Sequence, residues 1–224
     1  MVVESSIVSL NVGVPENISL KKDKQIISGI NKQSVGWKAV FLSFNGLSGD
    51  EQADLKNHGG PDKAVCAYPV EHYKHWKDHH DMNVTEGAFG ENLLLRGMPE
   101  TKVCIGDIYE WGESLIQVSQ PRQPCYKLAE KHGIPSLPLF VRENGFSGYY
   151  FRVLKEGMVS AEDELIKQTS GPAVSIAEIN MLTYQPINDH EPIFALLHSP
   201  VLAESWKKTL RKKYGIAETA GDDR

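Results

Sequence analysis

A chain of 224 residues with a formal charge of −5, 41% apolar and 24% charged residues has the composition of a globular protein with a sizeable core. Its acidic balance supplies no overall attraction to nucleic acid or to an anionic membrane. Three cysteines without paired spacing argue against a disulfide framework and for a reducing, cytoplasmic compartment.

No apolar run reaches the ~20 residues that span a bilayer, and MVVESSIVSLNVG lacks the basic and long apolar segments of a signal peptide. In chain order, AVFLSF (39–44) is a β-rich run ending in the turn NGLSGD, and KAVCAYP (63–69) is a second strand stopping at proline. VEHYKHWKDHH (70–80) puts Tyr73 and Trp76 on one face and predicts a helix. DIYEWGESLIQVSQ (107–120) carries the clearest hairpin signal, two β-rich runs about Gly112 and Glu113. CYKLAEKHG (125–133) predicts a helix stopped by Gly133, with Cys125 at its N-terminal end. GYYFRVL (148–154) is a further strand before a turn at Glu156 and Gly157. Short strands punctuated by Gly and Pro predict a mainly β fold with α (α+β), a closed antiparallel barrel rather than βαβ units.

The character changes after KQTSGPAVS (167–175). Ser175 and Glu178 have capping-box spacing before IAEINML. DHEPIFALLHS (189–199) predicts a second helix, and Ser199-Pro200 is expected to open a third that Gly215 closes. The expected organisation is a barrel domain over 1–168, N-terminal segment included, and a three-helix domain over 169–224, frayed from 216 to 224.

The stretch SQPRQPCYKL (119–128) fences Cys125 between rigid backbone positions and sets Arg122 three residues upstream. A cation and a helix start both favour a thiolate, so Cys125 is a candidate nucleophile or soft metal ligand. Cys66 and Cys104 lie in apolar runs and are expected to fill strands. In GDEQADLKNHGGPDKAV (49–65), the bend His58-Gly59-Gly60 followed by Lys63 offers N–H groups and a cation to an anion, amid Asp50, Gln52 and Asp54. It lacks the spacing of a Walker loop. GAFGENLLL (87–95) is a loop entering a strand, with Glu91 a candidate member of a buried network. His72, His75 and His79 stand at i, i+3 and i+7, a spacing open to zinc, but a solvated polar face is the expected reading.

Together GLSGDEQADLKNHGGPDKAVCAYPVEHY, FGENL, GDIYEWGESLIQVSQPRQPCYKL and SGYYFRVLKEGMV resemble the MOSC family, named for the C-terminal domain of molybdenum-cofactor sulfurase. The nearest branch is that of the YiiM-type 6-N-hydroxylaminopurine resistance proteins, whose small three-helix C-terminal domain matches the tail. The resemblance implies a β-barrel that binds a pterin-based molybdenum cofactor (Mo-molybdopterin), with Cys125 as the protein ligand to the metal. It implies reduction of N-hydroxylated base analogues to amines, with electrons from a partner reductase, in a homodimer. Lys32, in the early SGINK stretch, and His58 through Ala64 match the family pattern. Lys32, His58, Gly59, Gly60, Lys63, Glu91, Asn92 and Arg122 are then the expected cofactor-binding residues, and His58 and Asp50 the expected proton relays beside Cys125. No nucleic-acid or membrane partner is expected. A cofactor carrier or sulfur-handling protein using a Cys125 persulfide shares the same cysteine, and only turnover separates the two readings. A zinc hydrolase built on the 70–80 histidines is the third.

Overall fold

The computed structural model describes residues 5–21, 23–54 and 59–217. Its strands are β1 (Ser6–Val12), β2 (Glu16–Asn17), β3 (Ile27–Ser28), β4 (Gln33–Ser34), β5 (Val40–Ser43), β6 (Gly46–Leu47), β7 (Val65–Pro69), β8 (Leu93–Arg96), β9 (Ile108–Trp111), β10 (Ser114–Pro121), β11 (Tyr149–Lys155), β12 (Gly157–Val159) and β13 (Leu165–Thr169). The helices are α1 (Glu71–His80), α2 (Tyr126–His132), α3 (Leu137–Asn144), α4 (Ile176–Tyr184), α5 (Glu191–Leu197) and α6 (Glu204–Tyr214).

Eight strands form one curled sheet in the order β13-β9-β10-β11-β7-β8-β1-β4, a half-barrel in a mixed α+β fold. The expected hairpin at Gly112 joins β9 to β10, with Ser114 opposite Trp111. One pair departs from the antiparallel expectation: β7 and β8 run parallel. The reason is α1 between them, because a parallel return needs a crossover long enough to carry the chain back.

Alternation divides the sheet's residues between two cores. On β7 and β8, Ala67, Leu93 and Leu95 join one cluster with Leu10, Trp111, Phe151 and Trp206. Tyr68 and Leu94, pointing the other way, join Trp76, Phe89, Leu128 and Leu137. Both faces of the central strands are therefore covered, and β7 is buried at every position.

The capping box at Ser175 and Glu178 opens α4 as its spacing predicts, and Gly133 and Gly215 close α2 and α6 in left-handed conformations. The last helix starts later than expected. Its N-cap is Ala203, whose N–H donates to Ser119 O at 3.0 Å, so contact with β10 rather than Ser199-Pro200 sets the start. Helix α3 adds to the expected elements, with Pro138 near its start and Gly145 after its end as its boundary signals.

The position taken as a domain limit, 168, falls inside β13. Ile176, Ile179, Ile193, Leu196, Trp206 and Leu210 bury themselves in the same cluster as the sheet. Each such side chain contributes about 1.5–3 kcal/mol, so together they match the ~5–15 kcal/mol stability of a domain. A chain ending at Thr169 is therefore expected to lose cooperative thermal unfolding. A sharp transition in that fragment would mark the barrel as an independent unit.

Candidate functional site

Strand β10 ends at Pro121, opposite Tyr149 of β11. The next N–H, of Arg122, donates to Gly148 O at 3.0 Å. Gly148 has φ +69°, and a Cβ there would lie 2.4 Å from Ala67 O, so only glycine lets β11 approach β7 at this point. Its own N–H is held by Glu100 Oε1 at 2.7 Å, and Glu100 Oε2 meets His72 Nε2 at 2.6 Å. The backbone that presents Arg122 is thus fixed from two sides.

Three residues on, Cys125 caps α2 in an extended conformation, and its carbonyl accepts from Leu128 N at 3.1 Å. Its thiol makes no capping bond to the helix and, half-buried, lines a cleft. Arg122, Lys32, Lys63 and Lys127 line the same cleft together with Asp50, Glu51 and Asp54, and Asp50 is paired with Lys32. A protein of net charge −5 thereby concentrates cations around one thiol.

Arg122 is only 7% exposed, and its Nη1 is buried without a hydrogen-bond partner. Burial disfavours its charge, yet the Cys66 thiol, Tyr150 and Cys125 around it outweigh that cost and hold the guanidinium more firmly protonated than usual. Lys63 ends a short 3-10 turn at Pro61–Lys63; burial lowers its pKa, with Asp62 and Asp54 opposing. Arg152 fixes that turn, donating to Asp62 Oδ1 at 2.7 Å, to Gln117 Oε1 at 2.9 Å and to Val201 O at 3.0 Å. Lys32 is paired with Asp50, whose Oδ1 also accepts from Gly13 N at 2.9 Å.

Of the residues singled out in the sequence, Cys125, Arg122, Lys32, Lys63, Asp50 and Asn92 come together in the cleft. Gly60 has φ 96°, which favours glycine, but neither it nor Gly59 is among the residues lining the cleft. His58 lies outside the described residues. Glu91 sits behind the cleft wall, fully buried. Its Oε1 accepts from Tyr73 O–H at 2.6 Å and Gly87 N at 2.8 Å, and its Oε2 from Phe89 N at 2.9 Å. Asn92 accepts from Cys66 N at 3.0 Å and donates to Asn11 O at 3.1 Å. These bonds tie the 87–92 loop to α1, β7 and β1, and Lys131 Nζ links it to Ile30, donating to Ile30 O at 3.0 Å and Gly87 O at 2.7 Å; a Cβ on Gly90 would lie 2.6 Å from Ile30 Cγ1.

Burial pushes the Glu91 carboxyl up, and the Tyr73 hydrogen bond pulls it down by favouring the carboxylate. Tyr73→Phe is expected to destabilise the protein by about 1–3 kcal/mol. The lost donor serves the ionised form, so the cost should grow as pH rises through the Glu91 titration and shrink where the group is protonated. Urea unfolding of both proteins at pH 5 and pH 8 measures this; a larger cost at the lower pH contradicts the assignment.

One cysteine expectation holds with an addition, and the other needs correction. Cys66 does lie in a buried strand, 5% exposed, but it lines the cleft beside Arg122, and burial raises its thiol pKa. The phase of β7 puts it on the cleft side, a signal visible only once the sheet order is known. Cys104 is half-buried in a turn, its N–H bonded to Asp107 Oδ2 at 3.0 Å, and fills no strand. Lys127 and Tyr150 are cleft residues the sequence did not flag. The histidines do not converge: His72 pairs with Glu100, and the rings of His75 and His79 stack at 4.5 Å. Among the described residues, no three His, Cys, Asp or Glu side chains form a metal-holding group, and no helix is long and apolar enough to cross a membrane.

Comparison with known proteins agrees with this architecture. The chain is 43% identical over 209 residues to YflK of Bacillus subtilis (strain 168), covering 93% of this chain and 94% of that one. It is 41% identical over 180 residues to YiiM of Escherichia coli (strain K12), covering 78% and 79% respectively. A longer chain of Gibberella moniliformis named "Reductase" is 38% identical over 149 residues, 63% of this chain and 26% of that one. The crystal structure of YiiM from Geobacillus stearothermophilus superposes with a TM-score of 0.79 at 39% identity, covering 95% of this chain and all 100% of that one. The MOSC domain profile matches residues 54–166, which hold the Gly59-Gly60 bend, the 87–92 loop and the Cys125 segment. With that match and these relatives, the chain belongs to the MOSC domain family.

Proposed function

We propose that the protein is a molybdenum-cofactor-dependent reductase that converts N-hydroxylated compounds, such as 6-N-hydroxylaminopurine, to the corresponding amines. The observation that carries this is Cys125 beside Arg122 in one cationic cleft, with Arg122 Nη1 buried and unpartnered. A buried donor without an acceptor is costly, and an anionic group in the cleft would relieve it. A soft thiolate on a rigid mount suits a metal already held by sulfur ligands. The residues therefore fit a pterin-based group bearing phosphate and one open metal position.

When bound, that cofactor supplies the two-electron chemistry. Arg122, Lys63, Lys127 and Lys32 hold its anionic parts by charge-assisted bonds. Cys125 offers the thiolate. The net reaction, R–NH–OH with two electrons and two protons giving R–NH2 and water, needs protons delivered where the N–O bond breaks. Asp50 Oδ1 is engaged by Lys32 and Gly13, leaving Oδ2 for proton exchange. His58 is the second proposed relay; Gly59 and Gly60, outside the cleft lining, shape the bend that leads to Lys63, and Glu91 and Asn92 keep the wall in place. The proposed setting is a cytoplasmic homodimer fed by a partner reductase; the Gibberella relative's printed name is in keeping with redox chemistry.

The test is to make the protein in a host with intact molybdenum-cofactor synthesis, measure metal and pterin, and assay hydroxylaminopurine reduction with a supplied electron donor. Molybdenum with turnover supports the reading. Cofactor held without turnover favours a carrier or persulfide role for Cys125, and zinc in place of molybdenum defeats it.

A further inference from the structure

The cleft does not end at Cys125. A second hollow shares Asp54, Lys63, Cys125, Lys127 and Tyr150 with the cationic cleft and extends to the N-terminal half of α6. Its far end is formed by Gln120, Gln123, Tyr126, Ser205, Trp206 and Thr209, none of them charged. Tyr126 follows Cys125 directly and is 59% exposed, an unusual setting for a ring beside a buried cation cluster. Trp206 gives an apolar floor, its indole N–H spent on Thr183 Oγ1 at 3.2 Å. Gln120 is held in place by Ser205 O–H, which donates to its Oε1 at 2.7 Å, and Thr209 O–H donates to Ser205 O at 3.1 Å. Gln123 is exposed.

This change in character along one continuous hollow indicates two ligand chemistries. The inner end suits an anion. The outer end offers the exposed Gln123 amide and the open face of Tyr126 against a wall in which Gln120, Ser205 and Thr209 are bonded internally, a setting that suits a planar neutral ring held by stacking and an edge hydrogen bond. We propose that the outer hollow seats the ring of the substrate, a neutral planar heterocycle of nucleobase size, with Tyr126 as its stacking face and α6 as its wall. The proposal rests on the reductase reading for the identity of the ligand as a substrate. A pterin ring has similar chemistry, so the test separates the two sources.

The experiment titrates 6-N-hydroxylaminopurine and adenine into the full-length, cofactor-free protein by calorimetry, for the natural chain, Tyr126→Ala and Thr209→Trp. Thermal unfolding, and molybdenum and pterin content after loading, are measured in parallel. Both bases are expected to bind the natural chain. Tyr126→Ala is expected to weaken binding about tenfold, the scale of one stacked base, and Thr209→Trp to block it, with cofactor content and melting unchanged. In loaded protein, KM for the base should rise while reduction of the ringless N-hydroxyurea is unaffected. Adenine binding needs no turnover, so a failed reductase reading leaves this readout intact. Unchanged binding in both variants, no base binding to the natural chain, or loss of pterin in Thr209→Trp overturns the proposal.

Discussion

Cys125→Ser is expected to abolish N–O reduction while leaving the melting temperature nearly unchanged. The residue is half-buried and its side chain makes no capping bond to α2, so the fold has little to lose. The chemistry loses its soft ligand, because a serine hydroxyl is harder and is not ionised near neutral pH. Cys66→Ser is the instructive control. It also lines the cleft, but its burial means that a hydroxyl there should cost about 1–3 kcal/mol of stability, with activity per folded molecule near normal. Alkylation of cofactor-free protein should follow the same contrast, Cys125 reacting before the buried Cys66 and being protected once cofactor is bound. Full turnover by Cys125→Ser would remove the metal-ligand role and most of the mechanism.

Arg122→Leu should separate binding from folding. Without cofactor, its stability is expected to shift by less than about 2 kcal/mol, because losing the Tyr150 partner is offset by no longer burying a guanidinium with an orphaned Nη1. With cofactor, the variant should lose most bound molybdenum and pterin, and with them the rise in melting temperature that a tight ligand gives the natural protein. Lys212→Ala, in α6 and outside the cleft, is the matched removal of a cation. Equal cofactor retention in the two variants would place the anion elsewhere.

What the sequence made visible was local. Gly133 and Gly215 end helices because their left-handed backbone is cheap for glycine alone, and Ser175 with Glu178 opens α4 through bonds within one turn. The hairpin at Gly112 and the position of Cys125 at the start of α2 were legible for the same reason. Cys66 and Tyr150 were not, since they face the cleft only because β7 and β11 are neighbours, with Tyr150 opposite Cys66. That pairing joins residues more than eighty positions apart, and no short window contains it. Lys127 lies within the expected helix, but the turn of α2 that directs it inward exists only in the folded chain. The parallel β7–β8 pair and the late start of α6 likewise depend on what the segments meet after folding.

Strand β10 is paired on both edges, to β9 and to β11, and is almost wholly buried. In hydrogen–deuterium exchange, the amides of Ile116 and Val118 should therefore rank among the slowest in the chain, opening only when the whole molecule does. The cleft hangs from the end of that strand. The 87–92 loop, buried and bonded to α1, β7 and β1, and α6, seated in the core, give the Cys125 mount walls that should open only on the same slow timescale.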